Sequence, residues 1–321
     1  MYTRPPEINV TVPVGQAFDQ AKHILFQPFD LGKWFVIGFC AWLAHLGEQG
    51  INGGFNGGSN YGQHGNTNFQ HEFARAKDYV LSNLSWIVPL VIVLVLVGLA
   101  LGVLFLWLNS RGKFMFLHCV ALNKAEIETP WHKFAHAGNS LFLFRLVLGL
   151  IGSVLTLPLA AVIAIPVIAM VRAGEPSVGG ILLAAGGLLV LLAVALVFAV
   201  IKMLTTDFVV PIMFLRGKKC LAGWGELRRL LAAEPGGFVL YFLMKIVLSM
   251  AIAAALVTVV LVTCCIAGCI MAVPYLGTIL LLPVLVFKRA YSLYFLTQFG
   301  REFDVFPPTA APSPGMIPPV A

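Results

Sequence analysis

The sequence predicts an all-α integral membrane protein with six transmembrane helices, arranged as three helix-hairpin repeats that each follow a cytoplasmic interfacial helix. Three observations predict this class. Five or six blocks of about twenty apolar residues, among them 86–108, 181–204 and 238–262, each match a hydrocarbon core roughly 30 Å thick. Hydrophobic residues make up 59% of the 321 positions and charged ones 11%, whereas ordinary globular domains are about 25% charged. The basic residues also fall on one side: with the chain starting inside, only Arg75, Lys77 and Arg172 of the 21 Lys and Arg lie outside. That asymmetry puts both termini in the cytoplasm. Backbone polar groups in lipid must be satisfied within the segment, so runs of this length are helices.

The elements follow in order. Residues 1–32 carry Arg4, Glu7, Asp19, Lys22 and Asp30 with no early apolar stretch, so no cleaved signal peptide is expected and residues 1–321 read as the mature chain. Within this segment Phe18, Ala21, Ile24 and Leu25 recur at helical spacing, which predicts an amphipathic helix over 14–27 on the inner membrane surface. A membrane domain spans 33–298. Its first helix, 33–46, is short, about 21 Å at 1.5 Å per residue, and crosses only with snorkelling flanks or local thinning. The alternative makes it re-entrant and leaves five crossings, at the cost of moving Arg111 and Lys113 outside. Residues 47–68 are rich in Gly and Asn and predict a flexible outer loop. Helix two covers 86–108, helix three 141–171 with Pro158 and Pro166, helix four 181–204, helix five 238–262, and helix six 271–295 with Pro274 and Pro283. The intervening 109–140 and 205–237 are inner segments. Residues 299–321 form a proline-rich tail expected to be disordered.

An internal repeat organises the spans. LFRLVL (143–148) lies over LMKIVL (243–248), and LGKWFV (31–36) matches the same register. Each string begins an odd-numbered helix, and each follows a partly amphipathic inner segment around 18–27, 131–137 or 221–232.

The repeat superimposes Lys33, Arg145 and Lys245 at the inner ends of helices one, three and five. Around a pseudo-threefold axis they would converge at inner-leaflet depth and hold a lipid phosphate or another anion. Alternatively each snorkels to its own headgroup and anchors its helix. Lys245 lies deepest and is the one that needs a buried partner, for which Asp207 is the candidate.

Other groupings carry less chemistry. His132 and His136 lie four apart with His118, Glu126 and Glu128 nearby, yet there is no HExxH pattern and no metal is expected. Trp224, Leu227 and Leu231 beside Lys218, Lys219, Arg228 and Arg229 fit an interfacial helix on anionic lipid. The six cysteines show no metal-site spacing and read as small buried hydrophobes. The net charge of +7 follows from topology, and no basic, aromatic-interleaved soluble surface exists for nucleic acid. No nucleophile and base stand at a catalytic spacing, so no enzyme and no cofactor are expected.

FDLGKWFVIGFCAWLA (29–44) with the Gly-rich loop after it, SRGKFMFL (110–117) and GNSLFLFRL (138–146) resemble a family of uncharacterised prokaryotic multispan membrane proteins. The resemblance covers most of the chain up to the tail and implies a bacterial inner (plasma) membrane location. More distantly, DFVVPIMFLRG (207–217), Trp224 and the helix that follows are similar to the membrane domain attached to some glycerophosphodiester phosphodiesterases. The catalytic domain of those enzymes is missing here, so the likeness implies lipid handling without hydrolysis.

The sequence thus points to a non-enzymatic membrane protein that binds anionic lipid headgroups or serves as a scaffold for a protein partner or a second copy of itself. The alternative is a small transporter or channel subunit. Its polar path would have to be built from Ser153, Thr156, Ser249, Thr258 and Thr278, the polar side chains at the helix centres.

Overall fold

The computed structural model describes residues 8–47, 84–173, 177–263, 268, 271 and 273–306. Most of the outer loop, Cys264, Cys265 and Cys269, and residues 307–321 lie outside the described residues. Among the described residues every regular element is helical. In chain order they are α1 (Val12–Phe26), α2 (Leu31–His45), α3 (Leu84–Leu122), α4 (Glu128–Lys133), α5 (Ala135–Ala173) and α6 (Val178–Leu204). A π-helical turn (Thr205–Val209) leads into α7 (Val210–Arg216), followed by α8 (Cys220–Ala233), α9 (Pro235–Val262), α10 (Pro274–Leu280), α11 (Leu282–Thr297) and a 3₁₀ turn (Arg301–Phe303).

Among the described residues four helices are long and apolar enough to cross a membrane: Ser85–Leu122, Ala135–Met170, Val178–Arg216 and Pro235–Val262. Their outer stretches expose leucine, valine and isoleucine around the helix, as a lipid-facing surface does. Their other ends meet in a buried head built with α1, α2, α7, α8 and α11.

Several boundaries differ from expectation, each for a local reason. Residues 109–122, expected as the start of an inner segment, continue α3 without a break. Asn109 and Ser110, the first polar side chains of this stretch, are satisfied inside the head. Asn109 Nδ2 donates to Ala44 O at 2.8 Å and Leu46 O at 2.9 Å, closing the end of α2, and Ser110 Oγ donates to Leu106 O at 2.7 Å. Helix α5 likewise starts before 141 and runs through Pro158 and Pro166. The last predicted span is divided at Leu281, and Pro283 sits in the first turn of α11, where its missing N–H leaves no helical bond unmade.

Helix α2 runs antiparallel beside the second half of α3. Lys33 meets Asn123, Cys40 meets Cys119 and Ala44 meets Asn109. It therefore ends level with the point where the exposed apolar stretch of α3 stops, and it accompanies α3 only along the head. Gly112 permits this approach, since a Cβ there would lie 2.6 Å from Ala44 N and from the Leu43 carbonyl carbon.

The amphipathic segments also turn their apolar sides inward. In α1, Ala17, Ala21, Ile24 and Leu25 pack on α11, while Phe18 is 64% exposed. The stripe is thus displaced from the expected one, and it binds protein. The chain ends reinforce the contact: Asn9 N donates to Gln298 Oε1 at 2.8 Å, and Gln298 Nε2 returns a bond to Asn9 O at 2.9 Å. In α8, Cys220, Gly223 and Leu227 are buried against the π turn and α7. A further correction concerns the tail, whose first residues are ordered. Phe303 and Val305 are buried, and Phe306 stacks on Tyr294 with ring centres 4.4 Å apart.

Candidate anion-binding site

The site is organised by the π turn. Widening a helix to i→i+5 bonding disturbs the regular carbonyl ladder and needs outside partners. Here Arg289 Nη1 of α11 donates to Thr206 O at 2.6 Å, and Lys113 Nζ of α3 donates to Thr206 Oγ1 at 3.0 Å. Asp207, 7% exposed, accepts from Tyr241 Oη at 3.1 Å and from Lys245 Nζ, both on α9. Three helices distant in sequence are thereby fastened to one irregular turn. The arrangement also keeps the buried carboxylate paired, without which its desolvation would be prohibitive.

Beside the turn lies a cavity of about 380 Å³. Its polar lining includes Lys113, Lys202, Lys245, Lys288 and Arg289 against a single carboxylate, Asp207. Phe116, Met203 and Leu285 supply part of an apolar wall. Arg289 is 7% exposed, and its Nε and Nη2 have no hydrogen-bond partner among the described residues. Guanidinium donors withheld from water in this way are costly unless a ligand completes them. A second cavity of about 250 Å³ adjoins the first and shares Lys113, Lys202 and Thr206 with it. Arg145 lines this second cavity and donates to Asn109 Oδ1 at 2.5 Å and Ser110 Oγ at 3.4 Å.

Of the cations singled out from the repeat, Lys245 lines the larger cavity and Arg145 the smaller. Lys33 lines neither and donates to Asn123 Oδ1 at 2.7 Å. Asp207 pairs with Lys245. Sequence reasoning missed Lys113, Lys202, Lys288 and Arg289. A signal existed for three of them: Lys202 interrupts an otherwise apolar run, as do the adjacent Lys288 and Arg289. Lys113 was hidden because its stretch reads as a loop.

The remaining groupings are positioned for packing. His118 is buried against the stacked rings of Phe134 and Phe214, with Glu126 3.8 Å away. Among the described residues no group of three or more His, Cys, Asp or Glu is placed to hold a metal ion. Ser153, Ser249 and Thr258 donate to the carbonyls of Leu150, Ile246 and Ala254 on their own helices, at exposed positions. On α8, burial pushes the Cys220 thiol up to about 12.

Comparison with known proteins adds one result. The profile of a family described as "Family of unknown function (DUF7544)" matches residues 10–282. The chain belongs to this family. The DUF7544 match covers α1 through the first residue of α11 and so includes Lys113, Lys202, Asp207 and Lys245, while Lys288 and Arg289 lie beyond it. No curated protein and no solved structure matches the chain. The link to glycerophosphodiester phosphodiesterases gains no support from the family match.

Proposed function

We propose that this protein is a non-enzymatic, lipid-binding component of the bacterial inner membrane that holds an anionic headgroup in the cavity beside the π turn. One observation carries the reading. Five cations and one carboxylate line a single cavity at the end of the long apolar helices where the head begins. Basic pockets between helices on the cytoplasmic side are suited to phosphate headgroups, and the unpartnered donors of Arg289 favour an anion over a cation.

In this reading the head and both termini face the cytoplasm, because the positive charge is concentrated there. Helices α3, α5, α6 and α9 cross the membrane, while α2 and α11 lie with the head. The order of elements supports a three-unit repeat: α1 precedes α2 and α3, α4 precedes α5 and α6, and α8 precedes α9 and α10–α11. The transporter alternative is less favoured, because Ser153, Ser249 and Thr258 spend their hydroxyl donors on carbonyls of their own helices.

Native mass spectrometry from gentle detergent tests the reading. Wild type is expected to retain a specific anionic lipid, and Lys202→Gln with Lys288→Gln is expected to lose it. Equal retention by both proteins would reduce the cavity cations to anchors of the fold and leave a scaffold role.

A further inference from the structure

The smaller cavity has a different character from the larger. Apart from Arg145, Thr205 and the three residues it shares with its neighbour, it is lined by Leu106, Leu141, Phe144, Leu148, Phe198 and two glycines, Gly149 and Gly152. It lies between α3, α5 and α6, and residues on these helices just beyond it are exposed and apolar. A charged cavity and a largely apolar slot thus lie side by side, with Lys113, Lys202 and Thr206 lining both. That is the outline of an amphiphile: a charged end, a junction and a chain.

The charge balance narrows the class of head. Among the described residues that line the larger cavity, cations outnumber carboxylates: Lys113, Lys202, Lys245, Lys288 and Arg289 against Asp207. A phosphodiester carries one negative charge, whereas a phosphomonoester carries about 1.5 to 2 at neutral pH and offers three acceptor oxygens. Nε and Nη2 of Arg289, buried and without a hydrogen-bond partner among the described residues, are two donors that such oxygens would complete. The volume is also small for a bulky head, being near the lower end of the roughly 300–1,000 Å³ typical of ligand sites.

Resting on the anionic-lipid reading above, we infer that the two cavities form one site for a lipid ending in a phosphomonoester, with the phosphate in the larger cavity and the first part of its chain in the slot beside Gly149 and Gly152. Gly149 has a specific part. It lines the slot, and a Cβ added there meets nothing within 4 Å, so a larger side chain can stand at that wall without forcing the helices apart.

The test is a binding comparison on the full chain in detergent with three probes: dioleoyl phosphatidate, dioleoyl phosphatidylglycerol and inorganic pyrophosphate. Wild type should bind phosphatidate at least tenfold more tightly than phosphatidylglycerol, which has the same chains on a phosphodiester, and pyrophosphate should compete with phosphatidate. Gly149→Leu should weaken phosphatidate at least fivefold while leaving pyrophosphate within twofold. Gly98→Leu serves as the control, since a Cβ there also meets nothing within 4 Å but the position lies outside both cavities. Lys202→Gln with Lys288→Gln should weaken phosphatidate and pyrophosphate together. Unchanged phosphatidate binding in Gly149→Leu overturns the chain slot. Equal affinity for the two lipids overturns the phosphomonoester class, and pyrophosphate binding without competition from phosphatidate assigns the site to a free anion. Each of the first two results leaves anionic-lipid binding standing. Failure of wild type to bind any of the three probes sinks that underlying reading instead.

Discussion

The two halves of α3 belong to one uninterrupted helix and obey different rules. From Trp86 to Phe105 the side chains are predominantly apolar and exposed, and Gly98 and Gly102 have open space where a Cβ would stand. From Asn109 onward the helix carries Asn, Ser, Arg, Lys and His, and Asn109, Ser110, Lys113 and His118 among them are buried. The first half is specified by its solvent, because any large apolar residue suits lipid. The second half is specified by its partners: Ala44, Leu46 and Thr206 each receive a hydrogen bond from a particular side chain. Substitutions should therefore be tolerated in one half and felt in the other.

The largest effect is expected at the turn that gathers the head. Asp207→Ala removes the acceptor for Tyr241 and Lys245 and leaves Lys245 beside the other cavity cations. Breaking a buried pair on one side typically costs about 3 kcal/mol or more. Thermal unfolding in detergent should register that loss, and a cost below about 1 kcal/mol would mean that the turn is held without its carboxylate. Asp207→Asn should recover part of the loss, since the amide oxygen still accepts from the Tyr241 hydroxyl.

The next effect contrasts the two halves directly. Gly112→Val places a side chain against the backbone of Leu43 and Ala44 and must push α2 away, an overpacking cost of about 2 kcal/mol. Gly98→Val on the same helix meets no neighbour and should stay within about 0.5 kcal/mol of wild type. If the two variants unfold at the same temperature, the packing of α2 on α3 is not the constraint that the geometry describes.

The same contrast explains what was legible in the sequence. The lipid-facing stretches were read directly, because hydropathy alone marks them and their lengths match a bilayer. The head was largely invisible, because residues 109–122 lose apolar character just where their polar groups begin to find partners. A hydropathy reading places water around Lys113; the structure places Thr206 there. The amphipathic patterns of α1 and α8 were real, but periodicity identifies an apolar stripe without naming what covers it, and both stripes face protein. At the site, Asp207 and Lys245 were found because a charge deep in an apolar helix demands a partner. Lys288 and Arg289 made the same demand and were passed over as part of a span.

A smaller effect separates aromatic packing from hydrogen bonding at Asp207. Tyr241 stacks on Tyr291 with ring centres 5.2 Å apart and also donates its hydroxyl to the carboxylate. Tyr241→Phe keeps the ring and loses one charge-assisted hydrogen bond, so a destabilisation of about 1.5 kcal/mol is expected in the same thermal assay. A loss as large as that of Asp207→Ala would make the hydroxyl, rather than Lys245, the main support of the carboxylate.

The last prediction concerns chemistry rather than stability and tests whether α8 belongs to the head or to the membrane surface. Cys220 opens α8, is buried, and donates its backbone N–H to Ser140 Oγ at 3.0 Å. Its neighbour Leu221 is 75% exposed. With the thiol pushed up to about 12 by burial, the reactive thiolate is scarce at pH 8 and becomes abundant only as the pH approaches 12. In a chain whose other cysteines are replaced by alanine, Cys220 should therefore resist a maleimide at pH 8 for as long as the head stays folded. A cysteine introduced by Leu221→Cys, with Cys220 also replaced, should label within minutes. Equal labelling at the two positions would detach α8 from the head and return it to the interfacial position that its basic, amphipathic sequence first suggests. Protection of Cys220 alone would tie the helix to the π turn, and through it to the cations that face the cavity.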